Sequence, residues 1–277
     1  MRYPAVAGAF YERSRDALLR QIKECYTHPL GPGRVPQLTA GPRRLVGLVV
    51  PHAGYVYSGP VAAHSYSALA ADGWPASFVV LGPNHHGQGA PLALTDHDWQ
   101  TPLGVAAIDK DLHDSLAKPP LEEDIVAHRD EHSIEVQLPF LQQLADAVRF
   151  VPICMAFQEY ELAAEVGELV AETVKGKDVL LIASSDFTHV GSQYFQLAPQ
   201  GVTAPAFAKG QDAREGDRAD PRPRSEAVRG EGRAGRHFDV RIRARHRHVD
   251  GREAATSSDV SRDTKMAVGY GAVAVYR

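Results

Sequence analysis

The chain has 277 residues, 44% of them hydrophobic, enough for one large domain with a buried core. A formal net charge of −4 excludes a general electrostatic pull toward nucleic acid or an anionic membrane surface. No apolar run approaches the roughly 20 residues that span a bilayer, the N-terminus lacks a secretory signal pattern, and only Cys25 and Cys154 occur, so a reduced, cytoplasmic setting is expected.

In chain order, Ser14 reads as the N-cap of a helix carrying Leu18, Leu19, Ile22 and Cys25 on one stripe. A strand over Leu45–Val50 leads into Pro51-His52-Ala53-Gly54-Tyr55, and a helix is predicted from about Pro60 to Leu69. The strand Phe78–Leu81 leads into Gly82-Pro83-Asn84-His85-His86. Thr101–Gly104 reads as a turn before an extended Val105–Ile108. Ser133 is placed to cap a helix bearing Ile134, Val136, Leu138, Phe140, Leu141 and Leu144, which Pro139 would kink. A strand over Val148–Cys154, an amphipathic helix over Glu161–Val174 and the strand Val179–Ala183 follow, the last running into Ser184-Ser185-Asp186-Phe187-Thr188-His189. This βα alternation predicts an α/β fold, a mostly parallel central sheet flanked by helices.

Three apolar strands thus each end in a histidine-bearing loop. In open α/β sheets the ligand crevice lies beyond the carboxyl ends of the strands, so these loops would converge there. Imidazole is the commonest metal ligand, and a His/carboxylate set suits iron, zinc or copper. His52 and His85 are the first candidate ligands, and His86 reads as a neighbour because adjacent side chains diverge. Asp186 and His189 would face the same way if they began a helix; an N-cap aspartate beside a half-buried histidine is the alternative. Glu131 and His132 are expected to line the cleft and to orient metal ligands or substrate, and a capped helix start with acidic first-turn residues is the alternative there. Tyr55 and Tyr57 read as pocket walls, and Cys154 as a core residue.

Composition changes after Leu197, beyond which no leucine occurs. From Ala213 to Arg252 the chain is rich in Arg, Ala, Gly, Asp and Pro and contains no lysine, a composition that buries too little apolar area to offset its ordering entropy. The span 201–255 is therefore expected to lie outside the packed domain. A basic arm for nucleic acid, a solvated insertion and a stretch translated out of frame all fit, although base-stacking aromatics are scarce. Ala267–Tyr276 reads as a buried strand that closes a single domain over 1–277.

Six segments carry a resemblance: Pro4–Tyr11, Pro51–Tyr55, Gly82–His86, Thr101–Gly104, Asp130–Glu135 and Ser184–His189. Their order resembles the motif series of the Memo family, whose bacterial and archaeal members are called AmmeMemoRadiSam system protein B. The resemblance covers residues 3–190, and Ser257–Tyr276 is similar to the family's closing segment. It implies a fold similar to class III extradiol dioxygenases and metal binding rather than a defined dioxygenase reaction. It further implies metal ligands at His52, His85 and a cysteine of a Cys-Gly-Arg motif, with Asp186 and His189 lining the same pocket. That motif is missing here, and the spacing to Ser257–Tyr276 favours a compensated pair of frame changes. The ligand set expected of this chain is accordingly His52, His85 and His189, holding iron or copper by preference, or zinc. A radical SAM protein and an AMMECR-type protein are the implied partners. The enzyme alternative is a metal-dependent oxygenase or hydrolase acting on a small aromatic or acyl compound. In it His189 or His132 would be general base, with Asp186 and Glu131 beside them, and the metal would polarise substrate. A peptide-binding module using the same cleft is the third reading.

Overall fold

Leu18, Ile22, Cys25 and Tyr26 recur at helical spacing and bury one face of α1 (Arg15–Thr27). Ser14 stands at its N-cap position without making a side-chain cap bond. The remaining elements, in a computed structural model that describes residues 1–157, 159–218, 249–256, 259 and 265–276, follow in chain order. They are β1 (Leu45–Val50), α2 (Tyr55–Asp72), β2 (Ser77–Pro83), β3 (Leu92–Leu94), β4 (Trp99–Thr101), β5 (Gly104–Ile108), α3 (Lys110–Leu116), β6 (Glu122–Glu123), α4 (Val126–Arg129), α5 (Leu138–Leu144), β7 (Arg149–Met155), α6 (Tyr160–Val174), β8 (Val179–Ser184), β9 (His189–Val190), α7 (Ala204–Arg218), β10 (Val249–Thr256) and β11 (Ala267–Tyr276). No helix among the described residues is long and apolar enough to cross a membrane.

The sheet runs β10-β11-β1-β8-β2-β7-β3-β6, with β5 beside β7, β4 beside β5 and β9 beside β11. Its centre, β1-β8-β2-β7, is parallel. Antiparallel strands flank that centre, β11 on β1 and β3 on β7, a feature that the βα pattern did not announce. Pleat alternation divides the core between the two faces of the sheet. Phe78 and Val80 of β2 face α1, α2 and α5, whereas Val79 and Leu81 pack with Leu112, Leu116, Val166 and Val170 of α3 and α6.

Several local expectations shift. Helix α2 begins at Tyr55, directly behind the His52 loop, and Pro60 lies inside it. Its first turn is supported from outside, because Tyr55 N donates to Phe10 O and Ser58 Oγ to Ala53 O. The helix expected from Ser133 is instead a 3-10 turn, Glu135–Gln137, followed by α5 with Pro139 in its first turn. Ser133 does not cap it: its hydroxyl donates to Pro83 O, binding this segment to the end of β2. Residues 130–134 are not helical, so the alternative of a capped helix start at Glu131 and His132 does not hold. Of the arginine-rich span, 204–218 forms α7, and Ala204 and Ala208 pack against Val190 and Ala267. The packed domain thus reaches further into the span than composition suggests. Residues 219–248, and with them the centre of that expectation, lie outside the described residues.

His128 ties stability to pH. Its ring is fully buried, edge-on to Trp99, and burial followed by the charge of Arg2 pushes its pKa down to about 3 from 6.5. The folded state therefore refuses a proton that the unfolded chain accepts below about pH 6.5. The stabilisation is complete above that pH and drains away as pH falls toward 3, by roughly 5 kcal/mol at most. Urea melts of His128→Leu at pH 7 and pH 4 should differ less than those of the parent chain. An equal acid loss in both proteins would remove His128 from the account.

Candidate metal centre

The parallel strands bring the three loops to one edge. Val50 of β1 lies opposite Ser184 of β8, and Ala183 of β8 opposite Leu81 of β2, so the loops leave in register. His52 follows Pro51 at the end of β1 and is buried. Its backbone N–H donates to Asp186 Oδ1 at 2.7 Å, and its Nδ1 meets Ser184 Oγ at 3.0 Å. His85 leaves β2 through a turn held by Asn84, whose Oδ1 accepts from the N–H groups of His86 and Gly87 and whose Nδ2 donates to Gln88 O. The His85 ring remains 42% exposed, open to solvent.

Glu131 is the hub. It is almost fully buried, and its carboxylate accepts from His85 N at 2.6 Å, His85 Nδ1 at 3.0 Å, His132 N at 2.8 Å and Ser133 N at 2.8 Å. Burial alone would push its pKa up. The His85 hydrogen bond, the His85 and His132 imidazoles and the Ser133 amide overcome that and hold it well below the usual carboxylate range. An ionised Glu131 so engaged holds its two histidines in place.

His132 completes the group. The donor atoms of His52, His85 and His132 lie within 4.8 Å of one another. The rings of His85 and His132 stack at 4.5 Å, and both meet the His52 ring edge-on, at 5.2 and 5.7 Å. The Phe10 ring packs against His132 at 4.6 Å, tilted by 54°. Burial lowers the pKa of His52, with Asp186 opposing, and burial pushes that of His132 down to about 4, with Glu131 opposing. Neutral imidazoles are what a cation requires. With Nδ1 engaged by Ser184 in His52 and by Glu131 in His85, Nε2 is left for a metal, the usual arrangement of a ligating histidine and its supporting carboxylate. The donor set fits a metal ion.

The loop after β8 contributes differently. Asp186 Oδ2 stands 3.9 Å from His52 Nε2, within reach of whatever His52 binds. His189 is not in the three-histidine group. It begins β9 rather than a helix, its Nδ1 donates to Phe187 O at 2.8 Å, and its ring lies edge-on to Tyr194. Thus the structure brings His52, His85, His132 and Glu131 together, sets Asp186 against His52 and places His189 one step away. Exposed His86 joins Glu131 and His132 in a second group of donor atoms, and Asp96, His97 and Glu123 form an exposed third among the described residues, with Lys110 paired to Asp96. Tyr55 is no pocket wall: it is buried, and its hydroxyl donates to Val136 O. Both cysteines are buried, and neither belongs to any of these groups.

The family profile described as "Memo-like protein" matches residues 2–228. A MEMO1 family protein of Methanopyrus kandleri is 48% identical over 194 residues, spanning 68% of this chain and 69% of its own length. One of Methanothermobacter thermautotrophicus is 46% identical over 198 residues, spanning 70% and 71%. The chain belongs to the Memo family. Within this Memo protein, the residues that motif reading missed are supports. Ser184 and Gln137 stand behind His52, and Asp212 of α7 accepts from Thr188 N at 3.0 Å, steadying the His189 loop from the arginine-rich side. Gly271 of β11 belongs to the same support, because a Cβ there would overlap the Phe187 ring. Gln137 could have been noticed as a lone amide within an apolar run; Asp212 carried no signal.

Proposed function

We propose that this Memo protein is a metal-binding protein whose cleft holds one cation through His52, His85 and His132. The observation that carries the reading is the convergence of three imidazole donors, two of them sharing the buried carboxylate of Glu131. The ion, when bound, supplies Lewis-acid or redox chemistry at the solvent-facing side of the cleft. The protein's own residues hold His52 and His132 neutral and keep all three donors oriented. A cytoplasmic location, with a radical SAM protein and an AMMECR-type protein as functional neighbours, belongs to this reading.

A second reading, a metal-dependent oxygenase or hydrolase acting on a small molecule, is favoured by His189. Its Nδ1 proton is committed to Phe187 O, which leaves Nε2 free to accept a proton from a substrate beside Asp186. Oxygen uptake with catechol-like compounds, or turnover of simple esters, would separate an enzyme from a metal carrier.

Metal preference tests the first reading. The donors are imidazole and carboxylate without a thiolate, so the site should take ferrous or zinc ion without the cuprous preference that a soft sulfur ligand confers. Parallel anaerobic titrations with the three ions should show saturable uptake of one ion per chain. The proposal fails if none of the three binds with defined stoichiometry. Tight cuprous binding above the others would mean that the donor set is wrong.

A further inference from the structure

A chain of polar side chains runs inward from His52 into the apolar core. Tyr66 of α2 donates its hydroxyl proton to Gln137 Oε1 at 2.6 Å. Gln137 Nε2 donates to Pro51 O at 3.1 Å and to Ser184 Oγ at 2.9 Å. Ser184 Oγ donates to Ser133 O at 2.6 Å and meets His52 Nδ1 at 3.0 Å. All of these side chains are buried, in a region where an unpaired polar group costs about 1–3 kcal/mol.

The proton positions follow from the partners. Pro51 O and Ser133 O are carbonyls and can only accept. The Gln137 amide must therefore point its NH2 at Pro51, which leaves Oε1 for Tyr66 and the second N–H for Ser184. The single Ser184 hydroxyl proton is taken by Ser133 O, so the serine oxygen has only lone pairs left, one for Gln137 and one for His52. His52 Nδ1 must then be the donor, and in the neutral ring Nε2 is unprotonated before any metal arrives.

We infer that Gln137 and Ser184 are positioning residues that lock His52 in its Nδ1–H tautomer and so aim the Nε2 lone pair into the cleft. The inference deepens the metal-binding reading and rests on it for its purpose, although the tautomer itself does not depend on metal. The same device is built differently for His85, where the carboxylate of Glu131 takes the Nδ1 proton. One ligand is thus set by a neutral relay and the other by a charge. Ser184 ends β8 and Gln137 lies in the 3-10 turn, so the relay also joins the two segments that flank the His52 loop.

The test reads the tautomer directly. Chelator-treated protein labelled with ring-15N histidine, at a pH where His52 is neutral, should show the Nδ1-protonated pattern for His52 in long-range 1H–15N spectra, with the signal assigned by its loss in His52→Gln. Ser184→Ala and the volume-conserving Gln137→Met should each admit the second tautomer while His128 resonances stay in place. Each should also weaken zinc binding by about 10–100-fold, the usual cost of removing support behind a ligand. An Nε2-protonated His52 in the unaltered protein overturns the inference, whether or not either variant folds. Folded variants that keep a single Nδ1–H signal overturn it as well. The expected tautomer in an unaltered protein that takes up none of the three ions would support the relay and sink the metal reading alone.

Discussion

Replacing His52 or His85 by alanine should abolish stoichiometric metal binding, weakening affinity by well over about 100-fold, since even an outer support costs 10–100-fold. The fold should survive. Both residues sit on loops at the sheet's carboxyl edge, and the half-exposed His85 ring covers no apolar core. The two variants should differ in a secondary respect. Loss of the His85 ring takes one proton donor from Glu131, which keeps backbone donors at His85, His132 and Ser133, whereas loss of the His52 ring leaves the buried Ser184 oxygen with an unpaired acceptor site. His52→Ala should therefore lower the melting temperature more than His85→Ala. Metal content after dialysis, with circular dichroism to check the fold, decides the matter. Unchanged stoichiometry in both variants would exclude these histidines as ligands.

The largest stability effect should come from Glu135, a residue outside the metal group. Its carboxylate is fully buried and accepts from the Arg2 guanidinium, Tyr11 Oη, Ala5 N at 2.8 Å and Val6 N at 3.2 Å. Arg2 in turn donates to His128 O and Glu131 O and lies over the Trp99 ring at 4.3 Å. This network fastens the first eleven residues to the segment that carries Glu131 and His132. Glu135→Ala would leave a buried arginine without its counter-charge, and removing one partner of a buried pair costs about 3–5 kcal/mol. Denaturant melts should show that loss, with metal affinity falling alongside because Glu131 O loses an anchored donor. Arg2→Met combined with Glu135→Leu should recover much of the stability. A Glu135→Ala variant within 1 kcal/mol of the parent would mean that Arg2 finds another partner or reaches water.

Much of the architecture was legible in the apolar runs. Leu45–Val50, Phe78–Leu81 and Val179–Ala183 are short and apolar and each is followed by a turn, and all three became central parallel strands with their histidine loops on one edge. What periodicity misread lay where tertiary contacts override local pattern. Ser133 looked like a helix cap, yet its hydroxyl is drawn to Pro83 O, and the backbone before it wraps the carboxylate of Glu131 instead of forming a helix. His132 consequently reaches the cleft from a non-helical loop, at a place that no helical spacing could have indicated. Helix α2 began early for a related reason, since Phe10, distant in sequence, caps its first turn through a backbone carbonyl.

The position of β11 has a consequence for biosynthesis. This strand lies between β10 and β1 and also pairs with β9, yet it follows all three in sequence. Until β11 is in place, β1 has β8 on one side and an open hydrogen-bonding edge on the other. Such an edge invites pairing with other nascent chains. A reading frame lost before Ala267–Tyr276 would leave that edge of the parallel core uncapped.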